Sequence, residues 1–206
     1  MRSIFKYIAI LIYKKKYNHL KDKLLAEYEL VKYDNSSSLN TISKILISGE
    51  DHRFFYHIGF DIIAIFRALR NRIIFRKIEG ASTINQQLVR VLTNDFEITF
   101  RRKIQEICLA TTISSIVPKG VIPKIYLNVA YYGTGMKGLS QVFSKLEITD
   151  REKISIEQAA EIVSMIKYPL PAKPGLNHLF KIHSRREYLI KLYKKHIARK
   201  FFKNHY

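Results

Sequence analysis

The sequence predicts an all-α fold. Apolar residues recur at helical spacing through successive segments, strand-like runs are few and short, and Gly and Pro fall where they would punctuate helices. With 206 residues, 47% hydrophobic and 26% charged, the chain is globular in composition and long enough to bury a sizeable core. It shows no internal repeat, low-complexity tract or clear linker.

The elements follow in order. Residues 1–31 form a basic, partly apolar arm, whose uninterrupted apolar run from Tyr7 to Tyr13 is far short of the roughly 20 residues that a spanning helix needs. No small-residue cleavage site follows it, and lysines at 6 and 14–16 flank it. It therefore reads as a segment lying in a membrane interface, with a buried helix as the alternative. A polar loop over 32–41 offers Asn40 or Thr41 as cap for a helix through Ile45, Leu46 and Ile47 to Gly49 and Glu50. "FDIIAIFRALRNRII" predicts a helix with Ile62, Ile63, Phe66 and Leu69 inward and Arg67, Arg70 and Arg72 outward.

A basic turn ends at Gly80, and Ser82 or Thr83 then caps the helix of "STINQQLVRVL". A long helix over 100–116 stops at Pro118, and the next, over 121–130, tolerates Pro123 in its first turn. "YYGTGMKG" is a glycine-rich turn before the helix of "LSQVFSKL". Ser155 with Gln158 makes a capping box for "SIEQAAEIVSMI". Prolines at 169, 171 and 174 break the chain before a basic amphipathic helix over 179–206. Leu109, Ile113, Ile125, Leu127, Ile162 and Val163 are the expected core.

Lys and Arg number 36 against 17 Asp and Glu, a formal charge of +19, which points to an anionic partner without choosing one. Nucleic acid is disfavoured, because the aromatics lie inside apolar helices and no binding motif occurs. The single Cys108 excludes an internal disulfide and a cysteine-based zinc cluster.

Three segments carry the chemistry. In "GEDHRFFYHIGFD" the candidate base is Glu50, which needs a partner acid from elsewhere because its neighbour Asp51 faces another way. His52 and His57 have poor spacing for a metal and no HExxH pattern, so loop-fixing by His57 and helix initiation by Asp61 are the better readings. "GASTINQQLVR" combines a helix start with Ser82 and Thr83, which favours an anion, with the amides of Gln86 and Gln87, which suit sugar groups, and with Arg90. No GK[ST] follows its glycine, so it is not a nucleotide loop, and a plain capped helix is the alternative. In "RRKIQEI", Arg102 and Glu106 share a helix face with Lys103 beside it; alone this would be a surface ion-pair ladder.

Together "EDHRFFYHIGFD", "GASTINQQ", "RRKIQE", "IYLNVAYYGTGMKGL" and "EQAAEIVSMI", in this order, resemble the peptidoglycan glycosyltransferase (transglycosylase) family, most closely its monofunctional biosynthetic members. The resemblance implies a lysozyme-like larger lobe with a smaller, membrane-proximal jaw lobe, a glycosyltransferase domain over 32–178, and polymerisation of lipid II into β-1,4 glycan strands with release of undecaprenyl diphosphate. It implies Glu50 as the base for the acceptor hydroxyl and Glu106 as the second catalytic glutamate. Asp51, Phe54, His57, Ser82, Thr83, Gln86, Gln87, Arg90, Arg102, Lys103 and Asn128 would bind substrate. No metal ligand and no required cofactor is assigned, although Mg2+ or Mn2+ assists at the substrate pyrophosphate in this reading. Implied partners are lipid II, the growing strand, an anionic membrane surface and a penicillin-binding transpeptidase or other wall-synthesis protein. The implied location is the extracytoplasmic face of the cell membrane, peripheral or weakly anchored.

The sequence departs from the family pattern at Ile98 and Gln105, where Arg and Lys are common, at Lys124, where Glu is common, and in a compressed "GLSQVFSKLEI". These departures keep open a second reading, a catalytically weakened lipid-II-binding or scaffold subunit. A different polyprenyl-diphosphate donor and a lysozyme-like hydrolase are further alternatives.

Overall fold

The computed structural model describes residues 2–76, 80–150 and 152–203, with side chains from residue 4 onward. It is predominantly helical, as expected. Two compact units are present: Met1–Ala26 with Arg53–Ile122, and Glu27–His52 with Pro123–Tyr206.

The first unit holds α1 (Arg2–Ile12), most of α2 (Lys14–Val31), α4 (Ile62–Phe75), α5 (Ile84–Thr93) and α6 (Phe100–Ile113). Its centre is α6, which packs against both α5 and α1. Ile84, Leu88, Leu109 and Ile113 are fully buried, because α5 and α6 each present an apolar stripe to this unit. Cys108 lies buried on α6, where desolvation pushes its thiol up and keeps it unreactive. The chain runs into α4 through a glycine at an unusual backbone angle. Gly59 has φ +133°, and a Cβ there would lie 2.3 Å from the Ala110 carbonyl oxygen. Only glycine lets the loop approach α6 so closely.

The second unit holds α3 (Ser37–Glu50), α7 (Ile122–Val129), a hairpin of β1 (Tyr131–Gly133) and β2 (Met136–Lys137), α8 (Leu139–Lys145), α9 (Ile156–Lys167) and α10 (Leu176–Ala198). The α3, α9 and α10 helices pack on one another. Ile42, Ile45, Leu46 and Ile47 of α3 are fully buried, as are Ile162 and Val163 of α9. The predicted core residues Leu109, Ile113, Ile125 and Leu127 are buried as well. The expected Ser155–Gln158 capping box is present at α9.

Four local expectations need correction. The cap of α3 is Ser36, whose hydroxyl accepts from the Leu39 N–H; Asn40 and Thr41 lie inside the helix and bond back to Asn35 and Ser37 carbonyls. The first hydroxyl that can reach the turn captures it, which starts the helix earlier. The helix over 100–116 ends at Ile113 and leads to a 3-10 turn, Lys119–Val121, after Pro118. The glycine-rich turn pairs as an irregular two-stranded hairpin. Most consequential is α4: Ile62, Ile63, Phe66 and Leu69 are 50–64% exposed rather than inward. Ile73, Ile74 and Phe75 are exposed too, and of the helix only Ala64 is buried. Helical periodicity identifies an apolar face, but not whether the fold supplies anything to cover it.

Ile4, Tyr7, Leu11 and Ile12 of α1 are likewise exposed. Among the described residues no helix is long and apolar enough to cross a membrane.

Candidate active site

The three sequence segments give two local constellations, one in each unit. In the first unit, Glu106 on α6 is only 2% exposed and is surrounded by cations. Arg90 of α5 grips it with two bonds, Nε to Oε2 at 3.0 Å and Nη2 to Oε1 at 3.3 Å. Lys103 donates to Oε1 at 2.6 Å, and Arg102 donates to Oε2. The helix geometry makes this inevitable once α5 lies against α6, since 102, 103 and 106 are one turn apart. Burial pushes the Glu106 carboxyl up, but the hydrogen bonds and charges of Arg90 and Lys103 outweigh it and hold the group below the ordinary carboxylate range.

Lys103 Nζ also donates to Ser82 Oγ at 2.9 Å, which ties the start of α5 to the same cluster. Thr83 caps α5: its hydroxyl accepts from the Gln86 N–H at 3.2 Å and donates to the Gly59 carbonyl at 2.6 Å. Gln86 is fully buried and returns the capping bond to the Thr83 N–H at 3.0 Å. Gln87 is partly exposed on the next position.

Much of the first motif serves this unit as scaffold. Phe54 is fully buried, edge-on to Phe55 and His57. His57 Nδ1 accepts from the Gly59 N–H at 3.1 Å and fixes the loop as expected. Asp61 caps α4 by accepting from the Ile63 and Ala64 N–H groups, while Arg53 donates to its other oxygen at 2.9 Å. Lys119, unremarked in the sequence, donates to the His57 carbonyl and lies 5.4 Å from the Phe54 ring centre.

In the second unit, Glu50 ends α3 with its side chain 17% exposed. Arg185 of α10 donates through Nη2 to Glu50 Oε1 at 2.7 Å and to the Gly49 carbonyl at 3.0 Å. Asp51 is buried, and its N–H closes α3 on the Ile47 carbonyl. Asn128 of α7 donates to Glu27 Oε2 at 2.7 Å, a partner outside the other motifs. Lys124, one turn earlier on α7, is 6% exposed and donates to the Asp34 carbonyl at 2.7 Å and to Asn35 Oδ1 at 3.2 Å. Desolvation lowers its pKa, with Asp34 opposing, and the bonds explain a lysine at this position as a tie to the loop before α3.

Sequence reasoning missed Arg185. The signal was present but quiet: a cation between Ile182 and Leu189, on the stripe that α10 buries. Among the described residues no three His, Cys, Asp or Glu side chains gather to hold a metal ion. The Glu106 oxygens are occupied by three cationic side chains.

Comparison with known proteins follows the same motifs. The transglycosylase family model matches residues 19–194. The chain belongs to the transglycosylase family. It is 33% identical over 177 residues to penicillin-binding protein 1A of Rickettsia bellii (strain RML369-C), covering 82% of this chain and 22% of that protein. It is also 33% identical over 172 residues to the biosynthetic peptidoglycan transglycosylase of Thiobacillus denitrificans (strain ATCC 25259 / T1), covering 83% of this chain and 72% of the relative. A monofunctional glycosyltransferase of Staphylococcus epidermidis (strain ATCC 12228 / FDA PCI 1200) is 34% identical over 137 residues, 63% of this chain and 51% of its own. This transglycosylase-family chain thus spans about a fifth of the length of the penicillin-binding protein 1A relatives it matches.

Proposed function

We propose that the chain is a peptidoglycan glycosyltransferase that polymerises lipid II into β-1,4 glycan strands and releases undecaprenyl diphosphate. The observation that carries this reading is the Glu106 cluster. Three cations around one carboxylate leave a net charge of 3 − 1 = +2, held on packed helices rather than on a mobile surface. Such a preorganised surplus suits the charge that grows on a departing diphosphate. Glu106 keeps Arg90, Arg102 and Lys103 in place and limits their mutual repulsion.

The reaction balances without a covalent enzyme intermediate. Glu50 takes the proton of the acceptor 4-hydroxyl, and the acceptor oxygen forms a bond to the donor sugar's anomeric carbon. The bond from that carbon to the diphosphate oxygen breaks, and its electron pair leaves with the diphosphate, which the cations stabilise. An α-linked donor gives a β-linked product by this single displacement. Ser82 and Gln87 offer polar contacts to the donor, Thr83 and Gln86 set their position by capping α5, and Asp51, Phe54, His57 and Asn128 complete the substrate-binding set in this reading.

The cations absent at Ile98 and Gln105 have local substitutes. A cavity of about 390 Å³ in the first unit is lined by Lys15, Lys16, Thr99, Arg101, Arg102 and Gln105, among others. Lys16 is bound to Asp95 at 2.6 Å, leaving Lys15 and Arg101 as the replacements we assign. The exposed apolar faces of α1 and α4, with the chain's excess positive charge, support contact with an anionic membrane surface. A penicillin-binding transpeptidase or another wall-synthesis protein is the partner in this reading.

The test is polymerisation of labelled lipid II by the wild type, Glu50→Gln and Glu106→Gln. Polymer from the wild type and none from folded Glu50→Gln supports the transferase and its base. Saturable lipid II binding without polymer from the wild type would instead establish the scaffold reading, which the uncharged Ile98 and Gln105 favour.

A further inference from the structure

We infer that Arg185, on the basic C-terminal helix outside all the motifs, is a positioning residue for Glu50. The inference rests on the reading of Glu50 as the base and extends it to a residue 135 positions away in sequence.

Glu50 occupies an electrostatically awkward place. It is the last residue of α3, where the helix presents unsatisfied carbonyls and the negative end of its dipole. A carboxylate there is repelled by its own helix, and an unrestrained side chain would swing away from it. Arg185 answers both problems with one nitrogen: Nη2 donates to the Gly49 carbonyl at 3.0 Å and to Glu50 Oε1 at 2.7 Å. The cation thus caps the helix end and fixes the carboxylate relative to the backbone that carries it.

The guanidinium is itself held. Its side chain is 12% exposed, and it lies 5.1 Å from the ring centre of Tyr188, one turn along α10. Ile182 and Leu189, on either side of it along the helix, are buried. α10 packs closely on α3 at Gly49, where an added Cβ would lie 2.2 Å from Leu189 Cδ2 and would have to displace that buried side chain. Leu189 lies one turn from Arg185, so the same packing holds the guanidinium at the end of α3. With 12% and 17% side-chain exposure the Arg185–Glu50 pair is screened less than an exposed surface ion pair.

Lysine cannot reproduce the planar fork but keeps the charge, whereas methionine keeps the stem and removes both. We therefore expect Arg185→Met to lower kcat for lipid II polymerisation by about 10- to 100-fold with KM changed less than about twofold, because a misplaced base slows the chemical step and leaves donor binding alone. Arg185→Lys should recover part of that loss. Lipid II binding by Arg185→Met should stay at the wild-type level, since the residue acts only through the base.

The assay uses the full chain with labelled lipid II, alongside circular dichroism melts and a lipid II binding measurement. Should Arg185→Met fail to fold, Arg185→Lys and Arg185→Gln carry the same comparison. Wild-type kcat in a folded Arg185→Met or Arg185→Gln variant would overturn the inference. So would a loss confined to KM, or a weakening of lipid II binding to match the loss of activity. Should Glu50→Gln retain full activity, the reading of Glu50 as base fails instead, which separates the two conclusions.

Discussion

Replacing Glu106 with Gln tests the energetics of the cationic cluster. Glutamine keeps the shape and one acceptor oxygen but removes the charge that Arg90, Arg102 and Lys103 share, and it turns an NH2 toward donors. Removing one member of a buried ionic network costs roughly 3–5 kcal/mol when the partners are stranded away from water. Here Arg90 and Lys103 retain 29% and 35% side-chain exposure, so solvent screens part of the repulsion that is left. A loss of about 2–3 kcal/mol near neutral pH is the expected result. At about 2–4 °C per kcal/mol for a chain of this size, Tm falls by roughly 4–12 °C.

The same variant has a pH signature. Glu106 has a folded-state pKa lowered from 4.5, so the unfolded chain binds its proton first as pH falls. Its stabilising contribution is complete above the unfolded pKa and disappears as pH drops through the lower, folded one. Thermal melts of the two proteins should therefore differ at about pH 7 and draw together as pH falls below the ordinary glutamate range and through the lower folded-state value. Equal melting temperatures at neutral pH, or a gap that persists unchanged in acid, would refute this account of the cluster.

Two further predictions concern the proposed donor and membrane contacts. Lys15→Gln with Arg101→Gln should raise KM for lipid II by about 10-fold or more with little change in Tm, since two exposed cations are removed from the cavity that would receive negative charge; unchanged KM would remove these residues from the donor role. Phe66→Ser with Ile73→Ser should weaken partitioning onto phosphatidylglycerol vesicles by about 100-fold or more, because each apolar side chain contributes about 1.5–3 kcal/mol when fully buried and both are now exposed. Equal sedimentation of variant and wild type would show that α4 does not meet the bilayer.

The contrast between Glu106 and Glu50 shows what a sequence can carry. Arg102, Lys103 and Glu106 sit on one helix at three- and four-residue spacing, so their meeting is written in local geometry, while the third cation, Arg90, and the burial that make a +2 cluster of a surface ladder come from α5. The cap at Thr83 was legible for the same reason, whereas the cap of α3 was misjudged because three consecutive serines offer several starting turns and only backbone geometry selects one. The face of α4 was readable as apolar, but what lies opposite a face is not local information, and the inward assignment failed there. Arg185 is the extreme case. Its meaning depends on the packing of α10 against the end of α3, a condition distributed over 135 residues of separation. A cation placed on the buried stripe of an otherwise ordinary amphipathic helix is therefore worth following to whatever carboxylate or helix end the packing presents to it, because leaving such a charge unpaired would cost more than the stripe's apolar burial at that position could return.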